Sequence, residues 1–244
     1  MSRERFSITL NWSKNIAAQV KHFSFTRADH KAFCFIPGQF ITLHISHADK
    51  VLRRSYSIAN SPDGSAKIEF AASYVSGGIA SDLLFNLKPG DQLEATGPFG
   101  RLILLEPYPK RIILVATGTG VTPYRSMLPD LEKYLIQATD RQLVLLLGVR
   151  EAKDLLYRDE FVTYLERHPR FHFRVYYSRL LPEQPLSYEY RGYLLDAFRD
   201  IHPDINTDIV YLCGNPNMVD QVFSLLMTRG FTTQAIRREK YISS

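Results

Sequence analysis

Glycine and threonine residues cluster in one segment, Ala-Thr-Gly-Thr-Gly-Val-Thr-Pro at 116–123, directly after an apolar run. Gly118 and Gly120 allow a tight turn and close approach of the backbone to a ligand. Thr122 can cap the next helix, and Pro123 suits its first turn, where a missing N–H costs nothing. The free N–H groups and the positive dipole end of that helix suit a pyrophosphate. An ordinary strand-to-helix turn explains the segment equally well, because it lacks the G-x-G-x-x-G fingerprint.

Two later segments each lie at the end of an apolar run that predicts a buried strand. In Cys-Gly-Asn-Pro at 213–216, Asn215 caps the next helix and Pro216 fills its first turn. Ligands of an open parallel sheet bind at the carboxyl ends of its strands, which places Cys213 at such a crevice. A lone cysteine is more often a small buried hydrophobe. In Ser178-Arg179, a hydroxyl beside a guanidinium suits the 2′-phosphate of NADP, with a surface turn as the alternative.

The segment Arg-Arg-Ser-Tyr-Ser at 53–57 combines charge with an aromatic ring. In a strand, Arg54 and Tyr56 share one face, and Ser57 points to the other unless the chain bends. A guanidinium can bind a diphosphate bidentately, and a tyrosine ring can stack on a flat heterocycle. By itself the segment fits an edge strand with solvated charges better. Gly-Gly-Ile-Ala-Ser at 77–81 is a second glycine-lined helix start, either an anion site or a turn.

Strands and helices must position these segments. The two halves of the chain predict different secondary structure. Up to about Leu105, short alternating runs broken by Pro-Gly and Gly-Pro pairs predict an antiparallel barrel or sandwich, with one short helix near 81–87. After 107–109, near-continuous apolar runs alternate with helical stretches, which predicts a doubly wound parallel sheet. The four helical stretches are 123–138, 159–167, 194–199 and 216–229. Pro129 should kink or divide the first of them.

Composition narrows the classes of function. The 244 residues include 30 Lys and Arg against 25 Asp and Glu, a net charge of +5. Counting residues 1–105 gives 12 basic and 8 acidic, so +4 of that charge lies in the front half. The basic residues form no stripe or tail, which argues against nucleic acid and leaves phosphate-bearing cofactors or an acidic protein partner.

Two cysteines exclude a disulfide framework, a zinc ribbon and a protein-bound iron–sulfur cluster, and we expect no metal site. No apolar run approaches the ~20 residues of a membrane helix. The first ten residues lack the apolar stretch of a signal peptide. We therefore expect a cytoplasmic protein without membrane insertion, and nothing in the sequence demands more than a monomer.

The motifs occur in a fixed order: RSYS, GGxxS and GPFG in the β-rich half, then ATGTGVTP, SR and CGNPNM, with Pro-Gly-Gln-Phe at 37–40 near the start. This ordered set resembles the ferredoxin–NADP(+) reductase family, especially the compact bacterial ferredoxin/flavodoxin reductases. The resemblance implies an antiparallel β-barrel domain at residues 1–105 that binds FAD. It implies an α/β doubly wound NADP(H)-binding domain at 106–244, with a C-terminal tail that returns to the flavin.

The resemblance also implies site residues, position by position. Arg54 would hold the FAD diphosphate, Tyr56 would stack on the isoalloxazine, Ser57 would hydrogen-bond near flavin N5, and Cys213 would face the nicotinamide. The full FAD set is Arg54, Ser55, Tyr56, Ser57, Phe70, Gly78, Ile79, Ala80, Ser81, Thr119 and Tyr241. The NADP set is Gly118, Gly120, Val149, Arg150, Ser178, Arg179, Arg191, Gly214, Asn215 and Pro216. Tyr56, Ser57 and Cys213 form the catalytic set, and Ile242 stands where relatives often carry an aromatic residue.

The implied activity is electron transfer between NADP(H) and a one-electron carrier, ferredoxin or flavodoxin, by hydride exchange between nicotinamide C4 and flavin N5. An acidic carrier would suit the basic front half. Two alternatives stay open. One is the reductase component of an oxygenase or a free-flavin reductase, and the other is a nucleotide-binding electron-transfer or regulatory subunit without turnover of its own.

Overall fold

The computed structural model describes residues 5–48 and 50–241, and its contacts divide the chain into two units. The first unit contains the described residues up to Leu104 together with Thr122–Leu128. Its elements are β1 (Arg5–Ala17), β2 (Val20–Arg27), β3 (Phe40–His47), β4 (Lys50–Ser57), β5 (Lys67–Ser73), α1 (Ile79–Asn86) and β6 (Gln92–Phe99). The short helix predicted near 81–87 is therefore present, two residues earlier.

The six strands of the first unit form one antiparallel sheet in the order β4-β3-β6-β1-β2-β5. A bridge between Ile58 and Phe70 joins the end of β4 to β5, the strand at the opposite edge of the sheet. The N–H of Ala59 also donates to the carbonyl of Glu69 at 2.7 Å. Because the two edges meet, the sheet closes on itself, and the predicted antiparallel barrel is confirmed.

Alternation explains why these segments are strands. In β3, the side chains of Ile41, Leu43 and Ile45 are buried, whereas the intervening polar side chains are at least partly exposed. The centre of the barrel is aromatic: the ring of Phe70 stacks on those of Phe23 and Phe25, with 5.4 Å between centroids in both pairs. A fully buried phenylalanine contributes about 2–3 kcal/mol, so this cluster is a large part of the core.

The second unit contains Leu105–Val121 and the described residues from Pro129 onward. Its elements are β7 (Arg111–Thr117), α2 (Thr122–Gln137, which begins in the first unit), β8 (Gln142–Val149), α3 (Arg158–Arg167), β9 (Phe171–Tyr177), β10 (Glu189–Arg191), α4 (Leu194–Asp200), β11 (Asp208–Gly214), α5 (Pro216–Thr228) and β12 (Ile236–Lys240). Among the residues that the structure describes, no helix has the length and apolar character to span a membrane.

The strands of the second unit form a parallel sheet in the order β10-β9-β8-β7-β11-β12. From β7 the chain adds strands in one direction as far as β10, then returns to add β11 and β12 on the other side. The strand order therefore reverses between β7 and β11, and the predicted doubly wound parallel sheet is confirmed. Ligands of such sheets bind outside the carboxyl ends of the strands at this reversal.

Three local features differ from the sequence-based expectation. Pro129 does not divide α2, because the proline removes only one backbone donor and the helix continues on both sides of it; the kink expected there stays a prediction. The edge strands β10 and β12 were not predicted. The strand β12 reads Ile-Arg-Arg-Glu-Lys, a charged pattern that suits an edge strand and hides the strand signal.

Candidate functional site

The strand β4 separates its polar side chains onto two faces. Arg54 and Tyr56 pair with Leu43 and Ile41 of β3, whose side chains are buried, and both are themselves partly buried. Ser55 lies on the other face, where its hydroxyl is 3.1 Å from that of Thr42. The alternation that the sequence predicted for Arg54 and Tyr56 is therefore present, and the Ser55 side chain points away from both.

Tyr56 presents a flat ring with one side packed on the barrel core. Its ring stacks on that of Phe70 with 4.8 Å between centroids and 24° between planes. Burial raises the pKa of Tyr56 to about 12, although the charge of Arg54 acts in the opposite direction. The phenol is therefore neutral at physiological pH. Phe70 is fully buried, so its side chain supports Tyr56 from inside the core.

The loop that follows β4 is held in place by the first turns of α2, within the first unit. The Nη1 of Arg125 donates to the carbonyl of Ala59 at 2.9 Å, and the hydroxyl of Ser126 donates to the carbonyl of Asn60 at 2.7 Å. The hydroxyl of Ser61 returns a hydrogen bond to the carbonyl of Ser126 at 2.9 Å. Sequence reasoning missed these contacts between α2 and the loop. The pattern that could have indicated them is the Arg125-Ser126 pair, which directly follows Thr-Pro-Tyr at 122–124.

Arg125 also meets a buried carboxylate. Its Nη1 lies 3.5 Å from Oε2 of Glu69, which is 3.3 Å from Nε2 of His22, and Lys67 approaches the other oxygen at 3.7 Å. Burial acts to raise the pKa of Glu69, but the hydrogen bond from His22 and the three positive neighbours outweigh it, so the pKa is lowered. The ionised carboxylate thus helps to hold Arg125 against the loop that follows Ser57. Ser57 itself is buried.

The glycine-lined segment at 77–81 forms the start of α1. Gly78 is the N-cap residue and no side chain caps the helix. The hydroxyl of Ser81 donates to the carbonyls of Val75 and Gly78, both at 2.8 Å, and so braces the turn from behind. The N–H groups of Ile79 and Ala80, in the first turn of the helix, have no intrahelical partners. The site they form suits an anion through its backbone rather than through the serine hydroxyl.

At the reversal point of the second unit, the turns after β7 and β11 are in backbone contact. A Cβ on Gly120 would lie 2.4 Å from the carbonyl oxygen of Cys213, and one on Gly214 would lie 2.6 Å from that of Thr117. The Oγ1 of Thr117 accepts a hydrogen bond from the N–H of Asn215 at 2.9 Å. Only glycine permits these approaches, so the two glycine-containing segments form one continuous surface at the carboxyl ends of both strands.

The two helix starts at this surface are capped differently. Asn215 caps α5 as predicted: its Oδ1 accepts from the N–H groups of Asn217 at 2.9 Å and Met218 at 3.4 Å. The prediction that Thr122 caps α2 is wrong. Gly118–Val121, which includes the half-buried Thr119, forms a 3₁₀ turn that leads directly into the helix, so no extended residue is left to act as a cap. The Thr122 hydroxyl is buried without a hydrogen-bond partner among the described residues.

Cys213 is fully buried in this unit. Burial raises the pKa of its thiol well above the usual range, the charge of Glu239 adds to the effect, and a hydrogen bond with Tyr241 opposes it. Tyr241 follows β12, and its N–H donates to the carbonyl of Gly214 at 2.8 Å. The structure therefore places Tyr241 beside Cys213, whereas Ile242 lies outside the described residues.

The two thiols should differ sharply in reactivity, because only the thiolate attacks an alkylating agent. At mildly alkaline pH, iodoacetamide should alkylate the exposed Cys34 and spare Cys213, whose raised pKa and burial both suppress its thiolate. Intact-mass spectrometry should show one adduct on native protein and two after denaturation. Rapid double labelling of the native protein would show that Cys213 is accessible.

The ends of β8 and β9 bring several predicted residues together. The N–H and hydroxyl of Ser178 both donate to the carbonyl of Val149, at 2.9 and 3.2 Å, and the N–H of Arg179 donates to the carbonyl of Arg150 at 3.1 Å. Arg191 ends β10, opposite the residue that precedes Ser178. Arg150, Arg179 and Arg191 are all exposed. We call these five residues, Val149, Arg150, Ser178, Arg179 and Arg191, the arginine corner.

Sequence reasoning missed Tyr193, which lies two residues beyond Arg191. Its side chain is 65% exposed, and its N–H donates to the carboxylate of Asp196 at 2.8 Å, at the start of α4. An exposed tyrosine two residues beyond Arg191 offers a stacking surface for a flat base. The Arg-Gly-Tyr sequence at 191–193 is the signal that would have indicated it.

Two family models match the chain: an oxidoreductase FAD-binding domain over residues 7–103 and an oxidoreductase NAD-binding domain over residues 114–223. A ferredoxin–NADP reductase B from Sorangium cellulosum is 34% identical over 228 residues, which cover 91% of each chain. The chain belongs to the ferredoxin–NADP reductase family. The reductase is an FAD-dependent oxidoreductase, with the FAD-binding match on the barrel and the NAD-binding match on the parallel sheet.

Other relatives of the reductase are components of oxygenase systems. The toluate 1,2-dioxygenase electron transfer component of Pseudomonas putida is 29% identical over 223 residues, and the match covers 91% of the reductase and 63% of that protein. A cytochrome P450 reductase from Amycolatopsis is 30% identical with a TM-score of 0.82, covering 97% and 69% of the two chains. A ferredoxin NADP+ reductase from Neisseria gonorrhoeae, solved with FAD and NADP, shares the fold at 21% identity and a TM-score of 0.82 over 97% and 98% of the chains.

Proposed function

We propose that the reductase transfers electrons from NADPH to a one-electron carrier protein, ferredoxin or flavodoxin, in the cytoplasm. The arginine corner is the main support for NADPH as the coenzyme. Its three exposed guanidinium groups and its serine suit a phosphate monoester such as the 2′-phosphate of NADPH. The choice of carrier is supported by the ferredoxin–NADP reductase that matches over 91% of both chains. Two unpaired cysteines suit the reducing conditions of the cytoplasm.

The barrel has the features that FAD requires. The Tyr56 ring, backed by Phe70, would stack on the isoalloxazine, and the partly buried Arg54 on the same face would bind the diphosphate. The N–H groups of Ile79, Ala80 and Ser81 at the uncapped start of α1 would share that diphosphate, and Gly78, whose own N–H donates to the carbonyl of Val75, would line it. Ser57 would hydrogen-bond near flavin N5. Ser55 points away from this face, so a contact from it would have to be made by its backbone.

In the second unit, the surface at the reversal point would bind the NADP diphosphate. The backbone of Gly118, Thr119 and Gly120 would supply donors, and the turn at Gly214, Asn215 and Pro216 would form the other wall. The arginine corner would bind the 2′-phosphate, and Tyr193 would stack on the adenine. Thr119 and Tyr241 are further candidates for contact with the flavin.

FAD, when bound, supplies the hydride and one-electron chemistry that no side chain can perform. The side chains of this chain would bind and orient, because hydride transfer needs the reacting atoms within ~3–3.5 Å. No general base is needed for the hydride step. Cys213 would act as a neutral thiol, since its raised pKa excludes a thiolate at physiological pH. We therefore assign Tyr56, Ser57 and Cys213 to alignment of the cofactors rather than to proton transfer.

The outer face of the barrel offers a surface for an acidic carrier. His44 lies opposite Arg53 in the β3–β4 register, and Nη2 of Arg5 donates to its Nδ1 at 3.0 Å. Partial burial lowers the pKa of His44, and the charges of Arg5 and Arg53 lower it further against the opposing charge of Glu94. Two guanidinium groups thus flank a neutral imidazole. This basic patch is part of the +4 net charge of residues 1–105, and carboxylates on a partner would complement it.

The test is an absorbance spectrum of the purified protein, recorded before and after NADPH and, separately, NADH. We expect a flavin spectrum that NADPH bleaches at lower concentration than NADH. Turnover with ferredoxin or flavodoxin should weaken as salt rises, because salt screens the basic patch. A colourless protein that does not take up FAD would contradict the proposal.

The oxygenase relatives favour a second candidate, the reductase component of an oxygenase system. The same spectra would be expected, so the acceptor decides between the two. Ferredoxin, flavodoxin and free FMN should be compared at equal concentration. Efficient reduction of free FMN with little activity toward either carrier would support a flavin reductase.

A flavin that NADPH cannot bleach would support an electron-transfer subunit without turnover of its own.

A further inference from the structure

The strand β10 has little backbone support for a segment that carries part of the arginine corner. It is three residues long, lies at the edge of the sheet and, among the described strands, pairs with β9 alone. The hydrogen bonds at its two ends run from the N–H of Val175 to the carbonyl of Tyr188 at 2.8 Å and from the N–H of Gly192 to the carbonyl of Tyr177 at 3.1 Å. A short edge strand of this kind frays easily unless side chains fasten it.

The carboxylate of Glu189 supplies that fastening. Glu189 is only 9% exposed, and its two oxygens have different partners. The hydroxyl of Tyr177, at the end of β9, donates to Oε1 at 2.7 Å, and the N–H of Leu186 donates to Oε2 at 2.9 Å. The N–H of Glu189 in turn donates to the carbonyl of Leu186 at 2.9 Å. One buried side chain therefore ties the end of β9, the turn at 186–189 and the start of β10 together.

A hydrogen-bond donor, Tyr177, and a guanidinium group, Arg158, lie around this carboxylate. Burial raises the pKa of Tyr177 far above its usual range, and the hydrogen bond to Glu189 adds to the effect, so the phenol stays a donor. The pKa of Arg158, at the start of α3, is raised mainly by a hydrogen bond with Tyr188, and the charge of Glu189 makes a smaller contribution. A nearby guanidinium thus offsets the buried negative charge.

We propose that Glu189 is a positioning residue for recognition of the 2′-phosphate. The residue directly after Tyr177 is Ser178, and Arg191 lies two residues after Glu189. By joining Tyr177 to β10, Glu189 fixes the distance between the two halves of the arginine corner. The inference rests on the proposed use of NADPH, and it assigns coenzyme selectivity to a residue that touches no part of the coenzyme.

The test is Glu189→Gln in the full-length, FAD-loaded protein, with calorimetric titration of 2′,5′-ADP and of 5′-AMP, which lacks the 2′-phosphate. Glutamine keeps one acceptor oxygen, but its NH₂ group cannot accept, so in either orientation of the amide one of the two hydrogen bonds to the carboxylate, from Tyr177 or from Leu186, is lost. We expect the Kd for 2′,5′-ADP to rise about tenfold, the equivalent of one lost hydrogen bond to a charged group. The Kd for 5′-AMP should stay unchanged, and the KM for NADPH should rise with little change in kcat.

Two other variants accompany it. Glu183→Gln removes the same charge from an exposed position in the same connection and should leave both affinities unchanged. Tyr177→Phe deletes only the hydroxyl donor and should weaken 2′,5′-ADP by roughly threefold to tenfold. It also serves if the glutamine variant does not fold.

The outcomes separate the inference from the proposed function. Unchanged or tighter binding of 2′,5′-ADP in Glu189→Gln, or equal loss of 5′-AMP, would overturn the positioning role while leaving the proposed function intact. Wild-type protein that binds both nucleotides equally would overturn the use of NADPH, and with it the inference.

Discussion

Gly120→Ala should slow the reduction of the flavin by NADPH about 100-fold or more while leaving FAD bound. The added Cβ would lie 2.4 Å from the carbonyl oxygen of Cys213 and 2.7 Å from Cα of Gly214, and both are backbone atoms that no rotamer change can move. The turns after β7 and β11 must then separate, which misplaces the surface proposed for the NADP diphosphate. A misplacement of about 1 Å can cost about 100-fold in rate, so we expect at least that loss in stopped-flow flavin reduction.

Gly230→Ala is the matched control for this change. Gly230 lies in the same unit with φ of 90°, and a Cβ there would meet no atom within 4 Å. Alanine should cost only the roughly 1–2 kcal/mol of a left-handed residue and leave the reduction rate unchanged. Normal reduction kinetics in Gly120→Ala would show that the contact relaxes easily and that the rigid surface is not required.

Replacement of Arg54 with alanine should release FAD from the barrel. The side chain is partly buried on the face of β4 that also carries Tyr56, where it is proposed to bind the diphosphate. Loss of charge-assisted hydrogen bonds to a diphosphate should cost about 3 kcal/mol, or roughly 100-fold in affinity. The ratio of flavin to protein absorbance after gel filtration measures the loss directly.

Arg53→Ala provides the comparison, because Arg53 is the adjacent residue with the same charge on the opposite, exposed face of β4. It should retain a full complement of FAD. Equal loss of FAD from both variants would indicate that the net charge of the strand, rather than the placement of Arg54, governs binding.

The sequence predicted the elements whose signals are local. The alternation at 40–45 and the continuous apolar run at 143–147 depend on which faces are buried, and both segments lie in strands as expected. Asn215 precedes a proline at a strand end, and it caps α5. Thr122 carries a similar local signal, but the preceding 3₁₀ turn depends on contacts with the distant Cys213 and Gly214, which no local pattern records.

The features that were missed depend on tertiary contacts. Arg125 reads as one more surface arginine until the fold brings it to the carbonyl of Ala59, 66 residues away in the chain. Phe70 was grouped with the FAD residues, and only the closed barrel shows that its side chain lies behind Tyr56. The short strand β10 has three residues, too few for any periodicity to be visible.

Gly120 approaches the main chain of Cys213, not its side chain. The structural role of residue 213 therefore belongs to its backbone, and any chemical role belongs to its sulfur atom. The backbone contact requires glycine at residue 120, whereas the sulfur atom of Cys213 takes no part in it. Exchanging the thiol for a hydroxyl or a methyl group should therefore leave the scaffold intact. The chemical contribution of the Cys213 sulfur atom can therefore be measured by substitution without changing the surrounding structure.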